Sequence, residues 1–310
     1  MEPFISVIIR AYNAEKYIRD AISSILNQRC ECLIEVIILY DEGSTDGTWE
    51  IIEELQGTID AENIMLRVIR HTHISPFRSL QIGLKEVRGE YVTILDYDNI
   101  YPPEYLEIIC RIIKEHPEAT FLFTRALLVT SEGKVIKELL SIPPNPYDIN
   151  RLIKGNYIDG NTMVFKKPCK KIIEELSDKL QHRYFDWIFE DWLIAAIGLK
   201  FCKPLFVKDA YIYYRSHELN ITHGGTKKDH FKTLFNIERE VKTLTAMSYI
   251  FNDNAELRSD IARSLITRYL RLILLSTHIL QLPRIKLLSL TTSVILSKGL
   301  SKWRSFLKSK

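Results

Sequence analysis

Cysteine is scarce in this 310-residue chain: five residues, at Cys30, Cys32, Cys110, Cys169 and Cys202. An odd number without a recognisable ligand spacing predicts neither a zinc module nor a secreted disulfide framework. Cys110 and Cys202 sit in apolar runs and read as core residues, so reduced thiols and a cytoplasmic setting are expected. Long apolar runs are also missing. No stretch of about twenty uncharged apolar residues occurs, so no membrane-spanning helix is expected. The N-terminus lacks the charged start and small-residue ending of a signal peptide, so none is expected. Internal repeats and low-complexity tracts are absent. The last absence is of one sign of charge: residues 261–310 hold 10 Lys and Arg and no Asp or Glu. The other 260 residues hold 32 basic and 39 acidic side chains, a net of −7 hidden inside the overall +3. An acidic body with a basic tail predicts an anionic partner for the tail.

What is present is ordinary globular material, 46% apolar and 26% charged, with room for a sizeable core. Apolar strand-length runs alternate with helical periodicity from the start. Phe4 to Ile9, Ile34 to Tyr40, Met65 to Arg70 and Tyr91 to Leu95 read as strands. Between them, Tyr17 to Leu26, Trp49 to Leu55 and Pro76 to Val87 read as helices, with Asn13 offering a cap to the first and Thr45 or Asp46 to the second. That alternation predicts an α/β fold with a parallel sheet. Pro102 and Pro103 suit the first turn of a further helix. Phe121 to Thr130 and Val135 to Leu140 flank a hairpin turn, so the second half of the sheet is expected to be mixed. Beyond residue 225 the pattern is helical only.

The stretch with most chemistry is Gly89 to Asn99. Its apolar run ends in Asp96 and Asp98, at the carboxyl end of a strand, where ligands of open α/β sheets bind. Two carboxylates there suit a hard divalent cation. Taken alone they equally suit a polar turn closing a buried strand. Three other stretches accompany them in order: Ala11-Tyr12-Asn13 after the first strand, Asp41 to Asp46 after the second, and Glu190-Asp191-Trp192.

This ordered set resembles glycosyltransferase family 2, inverting enzymes of the GT-A fold, over roughly residues 4 to 220. The resemblance implies a Rossmann-like, mostly parallel sheet with a mixed C-terminal half in residues 1–225, followed by a helical region in 226–310. It implies that Ala11, Tyr12, Asn13 and Glu15 line a nucleotide pocket, and that Asp41 recognises the base, usually uracil. A carboxylate can accept a hydrogen bond from the uracil imide N–H, where cytosine offers an acceptor. Asp96 is then the acid near the ribose, Asp98 the ligand of Mn²⁺ or Mg²⁺, and Asp191 the general base. Asp159, Glu190 and Trp192 match a loop near donor sugar and acceptor. His217, in a Tyr-Arg-Ser-His stretch with Arg215, matches a residue that completes the metal shell, with His223 as the fallback. Two positions depart from the family: Leu80 and Gln81 stand where Arg and Asn are usual, and Arg78 is out of register.

The reading is therefore an inverting glycosyltransferase that uses a nucleotide sugar, a UDP-sugar first, on a saccharide or lipid-linked saccharide acceptor in polysaccharide synthesis. An aspartate-nucleophile phosphatase and a non-catalytic membrane-associated binding module are the alternatives. The basic tail, with Trp303 and Phe306, fits either a peripheral contact with the cytoplasmic face of a membrane or a bundle packed on the body, with a homodimer contact open. Nucleic acid is not expected, since no binding motif appears in the body.

Overall fold

The computed structural model describes residues 4–58, 63–217 and 230–280. In chain order its first half runs β1 (Phe4–Ala11), α1 (Ile18–Leu26), β2 (Leu33–Asp41), α2 (Thr48–Thr58), β3 (Ile64–His71), α3 (Pro76–Glu86), β4 (Tyr91–Ile94) and α4 (Tyr105–Glu115). The second half runs β5 (Phe121–Val129), β6 (Val135–Glu138), α5 (Ile149–Lys154), β7 (Met163–Lys166), α6 (Lys167–Asp178), α7 (Glu190–Phe201), β8 (Pro204–Arg215), α8 (His230–Ile250) and α9 (Ala255–Leu280). The strands form one sheet in the order β3-β2-β1-β4-β7-β5-β6, with β8 paired to β5. Pairs among β1 to β4 are parallel, β7 is antiparallel to both β4 and β5, and β8 returns parallel to β5. This is the mixed α/β architecture expected, with a helical C-terminal region.

The reason for the fold is visible in β1. Ile5, Val7, Ile8 and Ile9 are all fully buried, as a strand covered on both faces requires. Successive side chains point to opposite faces. Ile5, Val7 and Ile9 join a core with Ile18, Ile22 and Ile25 of α1 and Leu106 and Ile109 of α4. Ile8 joins the other core, with Leu80 and Leu84 of α3, Leu193 and Ile197 of α7, and Leu244 and Met247 of α8. Phe251, Leu257 and Ile261 continue that second core, so the described start of α9 packs on the body. Farther along, Ile266, Leu270 and Leu274 are 60%, 50% and 58% exposed. Residues 285–307, with Trp303 and Phe306, and His223 lie outside the described residues.

Gly89 marks the closest approach of the chain to β1. A Cβ there would lie 2.7 Å from the Ser6 amide nitrogen and 2.9 Å from the Phe4 carbonyl. Its own N–H donates to Ser6 Oγ, which donates to the buried Glu35 carboxylate; Arg67 and the Arg88 N–H donate there too. Burial alone would raise the Glu35 pKa, but these donors outweigh it and hold the group below its usual value.

Local expectations need three corrections. Asn13 does not cap α1, which begins after Tyr17 without a side-chain cap; Asn13 instead takes the left-handed conformation at φ 47°. The two prolines precede α4 rather than opening it, since the helix starts at Tyr105. The cysteines are not five separate thiols. Cys169 at the start of α6 and Cys202 after α7 are joined by a disulfide with Cα atoms 5.6 Å apart, and Cys32 is joined to Cys110. Partners 33 and 78 residues apart leave no local spacing to read.

Candidate active site

The carboxyl ends of β1, β2 and β4 open into one cleft of about 370 Å³, within the range of small-molecule sites. Ala11 and Tyr12 reach it from β1, Asp41 from β2, and Asp96 and Asp98 from the turn after β4. Asp159, Glu190 and Asp191 line it as well, from the turn before β7 and the first turn of α7. Parallel strands that end on the same side gather the first five of these residues, and the turn before the antiparallel β7 and the start of α7 bring the other three.

Five sequence-derived residues, Asn13, Glu15, Trp192, Arg215 and His217, do not line this cleft. Asn13 Oδ1 accepts from the Thr45 N–H and Glu15 Oε2 from the Gly47 N–H, so both brace the loop after β2. Trp192 is 3% exposed and donates from Nε1 to the Leu152 carbonyl, because it lies on the core side of α7. Arg215 turns away too, pairing with Asp20 at 2.9 Å and lying over the Tyr17 ring.

Asp41 is nearly buried. Its Oδ1 accepts from the Gly43 N–H and its Oδ2 lies 2.9 Å from His73 Nδ1. The His73 ring packs on Tyr12, with centroids 4.6 Å apart, and both rings are roughly half exposed. A carboxylate beside two aromatic faces makes a slot for a flat, hydrogen-bonding heterocycle.

Asp98 Oδ2 lies 2.8 Å from His217 Nε2. Burial raises the Asp98 pKa, His217 opposes that rise, and Asp96 adds to it. The pair tests well as a cation site. Adjacent ligands of an octahedral shell with bonds of ~2.1 Å sit roughly 3 Å apart, close to the separation seen. An oxygen and an imidazole donor suit Mn²⁺ or Mg²⁺ with further oxygens from a ligand.

Asp96 is held differently. Its Oδ1 accepts from Arg10 at 2.6 Å, its Oδ2 from Asn161 Nδ2, and its N–H donates to Asn161 Oδ1. With both oxygens engaged and three strands ahead of it in the chain, it is not presented as a nucleophile. Arg10 also donates to Glu190 Oε1 at 2.5 Å. Burial works against the Arg10 charge, but Asp96 and Glu190 outweigh it and keep the guanidinium protonated. A second guanidinium arrives from α8. Arg239 is 6% exposed, stacks over Phe189 at 4.0 Å and lies 3.9 Å from Glu190 Oε2. Its Nε has no hydrogen-bond partner among the described residues, and burial lowers its pKa.

Asp191 is the most perturbed acid of the cleft. Burial first, then the charges of Glu190 and Asp159, raise its pKa from 3.8 to about 7. Asn156 Nδ2 donates to its Oδ2 at 2.9 Å. Trp187 and Phe189 line the same cleft.

Arg10, His73 and Arg239 are thus site residues that motif reading overlooked, whereas Asn161 belongs to the Asp159-Gly160-Asn161 stretch that matches the donor-sugar and acceptor loop. Only Arg10 left a trace in sequence, a lone charge ending an otherwise apolar buried strand. Where the family usually has Arg and Asn, Leu80 lines the cleft and Gln81 donates to the Ser177 carbonyl instead. Arg78 braces Asp186 and the Leu180 carbonyl.

Comparison with known proteins agrees with this geometry. The family model for Glycosyl transferase family 2 matches residues 6–173, more than half of the chain. An uncharacterized glycosyltransferase of Haemophilus influenzae is 39% identical over 173 residues, covering 53% of this chain and 52% of the relative. The putative glycosyltransferase EpsH of Bacillus subtilis is 25% identical over 249 residues, covering 73% and 64%. The chain spans about half the length of most curated relatives it matches. Among solved structures, Staphylococcus aureus TarS 1-349 in complex with UDP-GlcNAc superposes with a TM-score of 0.53 at 20% identity, over 89% of this chain and 81% of that one. The mannosyltransferase PcManGT of Pyrobaculum calidifontis, in complex with GDP-Man and Mn²⁺, gives 0.53 at 18% identity, over 98% and 84%. A mixed sheet whose parallel strands end in this acidic cleft, together with the match over residues 6–173, places the chain in glycosyl transferase family 2.

Proposed function

We propose that this chain transfers a sugar with inversion from a nucleotide sugar, a UDP-sugar first, to an acceptor hydroxyl on a saccharide or lipid-linked saccharide. The observation that carries the reading is the raised pKa of Asp191, to about 7, in the same cleft as Asp41, Asp96 and Asp98. A general base works best when its pKa lies near the operating pH. Asp191 would take the proton from the acceptor hydroxyl as its oxygen attacks the anomeric carbon opposite the leaving group. Asn156 Nδ2 and the Trp192 N–H donate to this carboxylate and fix its direction.

At the other end, Asp41 accepts from the base imide while Tyr12 and His73 present ring faces to it. Asp98 and His217 would hold Mn²⁺ or Mg²⁺. Such a cation, when bound, stabilises negative charge on the departing diphosphate. Arg10 bridges Asp96 and Glu190 and fixes both carboxylates in direction. Arg239, with its Nε aimed at no protein acceptor, is placed to donate to an anionic group of donor or acceptor. The proposed division has residues 1–225 carrying the transfer and 226–310 forming the helical region, although Arg239 lends that region to the site.

Among the described residues no helix is long and apolar enough to cross a membrane. The exposed Ile266, Leu270 and Leu274 recur every fourth residue on α9, with Arg263 and Arg271 nearby, which supports a peripheral contact with an anionic surface.

A thermal-shift panel of UDP, GDP and CDP, each with and without Mn²⁺, tests the core of this reading. Stabilisation by UDP that needs the metal and disappears in Asp98→Ala is expected. Stabilisation by GDP alone would overturn the choice of base, and metal-independent binding of UDP would overturn the role of Asp98.

A further inference from the structure

The cysteines hold a second site, away from the cleft. Cys30 and Cys32 flank Glu31 in the turn that leads into β2, and Cys110 lies in the middle of α4. All three sulfurs lie within 4.8 Å of one another. Cys32 and Cys110 are buried at 1% and 5% exposure, while Cys30 is only partly covered.

Two features separate this cluster from a plain disulfide. The Cα atoms of Cys32 and Cys110 are 7.0 Å apart, beyond the usual disulfide range of about 4.4–6.8 Å. The Cys169–Cys202 pair of the same chain, at 5.6 Å, falls in the middle of it. The second feature is the third sulfur, of Cys30, beside the pair. A bridging cation uses both features: Zn–S bonds of ~2.3 Å in a tetrahedron put sulfurs roughly 3.8 Å apart and carry their backbones wider than a direct bond does.

The surroundings are built to hold the three in place. Asn63 Nδ2 donates to the carbonyls of both Cys30 and Cys32, each at 3.3 Å. Gln28 Nε2 donates to the Pro102 carbonyl while its Oε1 accepts from the Leu106 N–H at the start of α4. The Arg29 N–H donates to the Pro103 carbonyl at 2.9 Å. These bonds fix the Cys30–Cys32 turn against α4 independently of the sulfurs. Ile22, Ile25 and Ile109 belong to the same apolar core as Cys32 and Cys110, which gives soft ligands a dry inner wall. The partly covered Cys30 leaves one side open to solvent.

We propose that, once a thiol or phosphine reductant has supplied the two electrons that open the Cys32–Cys110 disulfide to two thiols, Cys30, Cys32 and Cys110 bind as thiolates a soft d¹⁰ cation of the Zn²⁺ class, with solvent as the fourth ligand. Binding releases the three thiol protons, so affinity rises with pH. No zinc spacing is visible in sequence because the third sulfur comes 78 residues after the second and only the fold delivers it.

The test uses the full chain, reduced with a phosphine under nitrogen and titrated with Cd²⁺, then with Zn²⁺ as competitor. One equivalent of Cd²⁺ should produce a thiolate-to-metal charge-transfer band that Zn²⁺ bleaches. Alkylation followed by peptide mass analysis should show Cys30, Cys32 and Cys110 protected, with Cys169 and Cys202 unaffected by metal. Cys30→Ser, at a partly exposed position, should weaken Cd²⁺ by at least ~10–100-fold, the range that even outer-shell losses produce. Asp98→Ala should leave the band unchanged. No band in the reduced chain, full affinity in Cys30→Ser, protection mapping to Cys169 and Cys202, or a Cys32–Cys110 bond that withstands reduction in the folded chain would each overturn the proposal.

Discussion

Asp191→Asn separates catalysis from stability. The folded pKa of Asp191 is raised from 3.8 to about 7, chiefly by burial and then by Glu190 and Asp159. An acid with a raised folded pKa binds protons more tightly in the folded state, so its contribution to stability falls as pH rises from ~4 to ~7. Above that window the ionised group costs the fold about 3 units at 1.36 kcal/mol each, a ceiling of ~4 kcal/mol. Asparagine carries no charge to bury, and its Oδ1 can still accept from Asn156. The substitution should therefore raise the melting temperature by several degrees at pH 8, since each kcal/mol moves it ~2–4 °C in larger domains. At pH 4, where the wild-type acid is protonated, the gain should vanish. Turnover should fall ~10²–10⁴-fold, the usual share of a general base, with nucleotide affinity unchanged. Differential scanning calorimetry across pH 4–8, beside single-turnover kinetics, reads both. A stability gain that is flat with pH would refute the burial argument, and retained turnover would refute the base assignment.

Other outcomes follow from the same geometry. Wild-type kcat/KM should show an acid limb centred near pH 7 that reports Asp191, and a limb near pH 4 would mean that another carboxylate limits the rate. Arg10→Leu leaves Asp96 and Glu190 without their shared cation and should cost about 3 kcal/mol in urea unfolding, the low end for a broken buried pair because the pair keeps some exposure. Gly89→Ala should cost ~1–3 kcal/mol with nucleotide binding intact, since its Cβ meets β1 backbone that cannot withdraw. Leu270→Glu, at a half-exposed position on α9, should abolish sedimentation with anionic vesicles while leaving the folded state unchanged, and undiminished co-sedimentation would remove α9 from the contact.

Much of the fold was legible because burial on both faces of a parallel sheet writes itself into uninterrupted apolar runs. Phe4 to Ile9 could be nothing but a covered strand, and its alternation between two cores is the period of the strand itself. The acids at strand ends were legible for a related reason: a charge directly after such a run must sit at the sheet's edge. What the sequence hid depends on distance. Arg239 sits among the ordinary charges of a surface-like helix, and nothing local says that α8 folds back over Phe189. His73 gains meaning only beside Asp41, 32 residues earlier. Trp192 was misplaced because one step along a helix turns the side chain by about 100°, enough here to carry it from the cleft that Asp191 lines into the core. The sulfur pairings failed similarly, since α6 meets α7 and the Cys30–Cys32 turn meets α4 only through packing.

The charge balance of the cleft ties these residues together. Asp41, Asp96, Asp98, Asp159, Glu190 and Asp191 face a space into which, among the described residues, Arg10 and Arg239 bring permanent positive charge. Arg10 is already committed to Asp96 and Glu190, so it neutralises the wall rather than the ligand. A diphosphate entering on the proposed reading would meet net repulsion, and Arg239 alone could not offset it. A divalent cation held by Asp98 and His217 would reverse that sign locally. Metal and nucleotide should then bind with positive coupling, and by linkage the metal must bind more tightly when the nucleotide is present, by the same factor. The departure at Leu80 strengthens the demand, because it removes a guanidinium that would otherwise have shared the phosphate charge. Loss of metal should accordingly weaken the nucleotide more in this chain than in a Leu80→Arg variant, where part of the missing charge is restored.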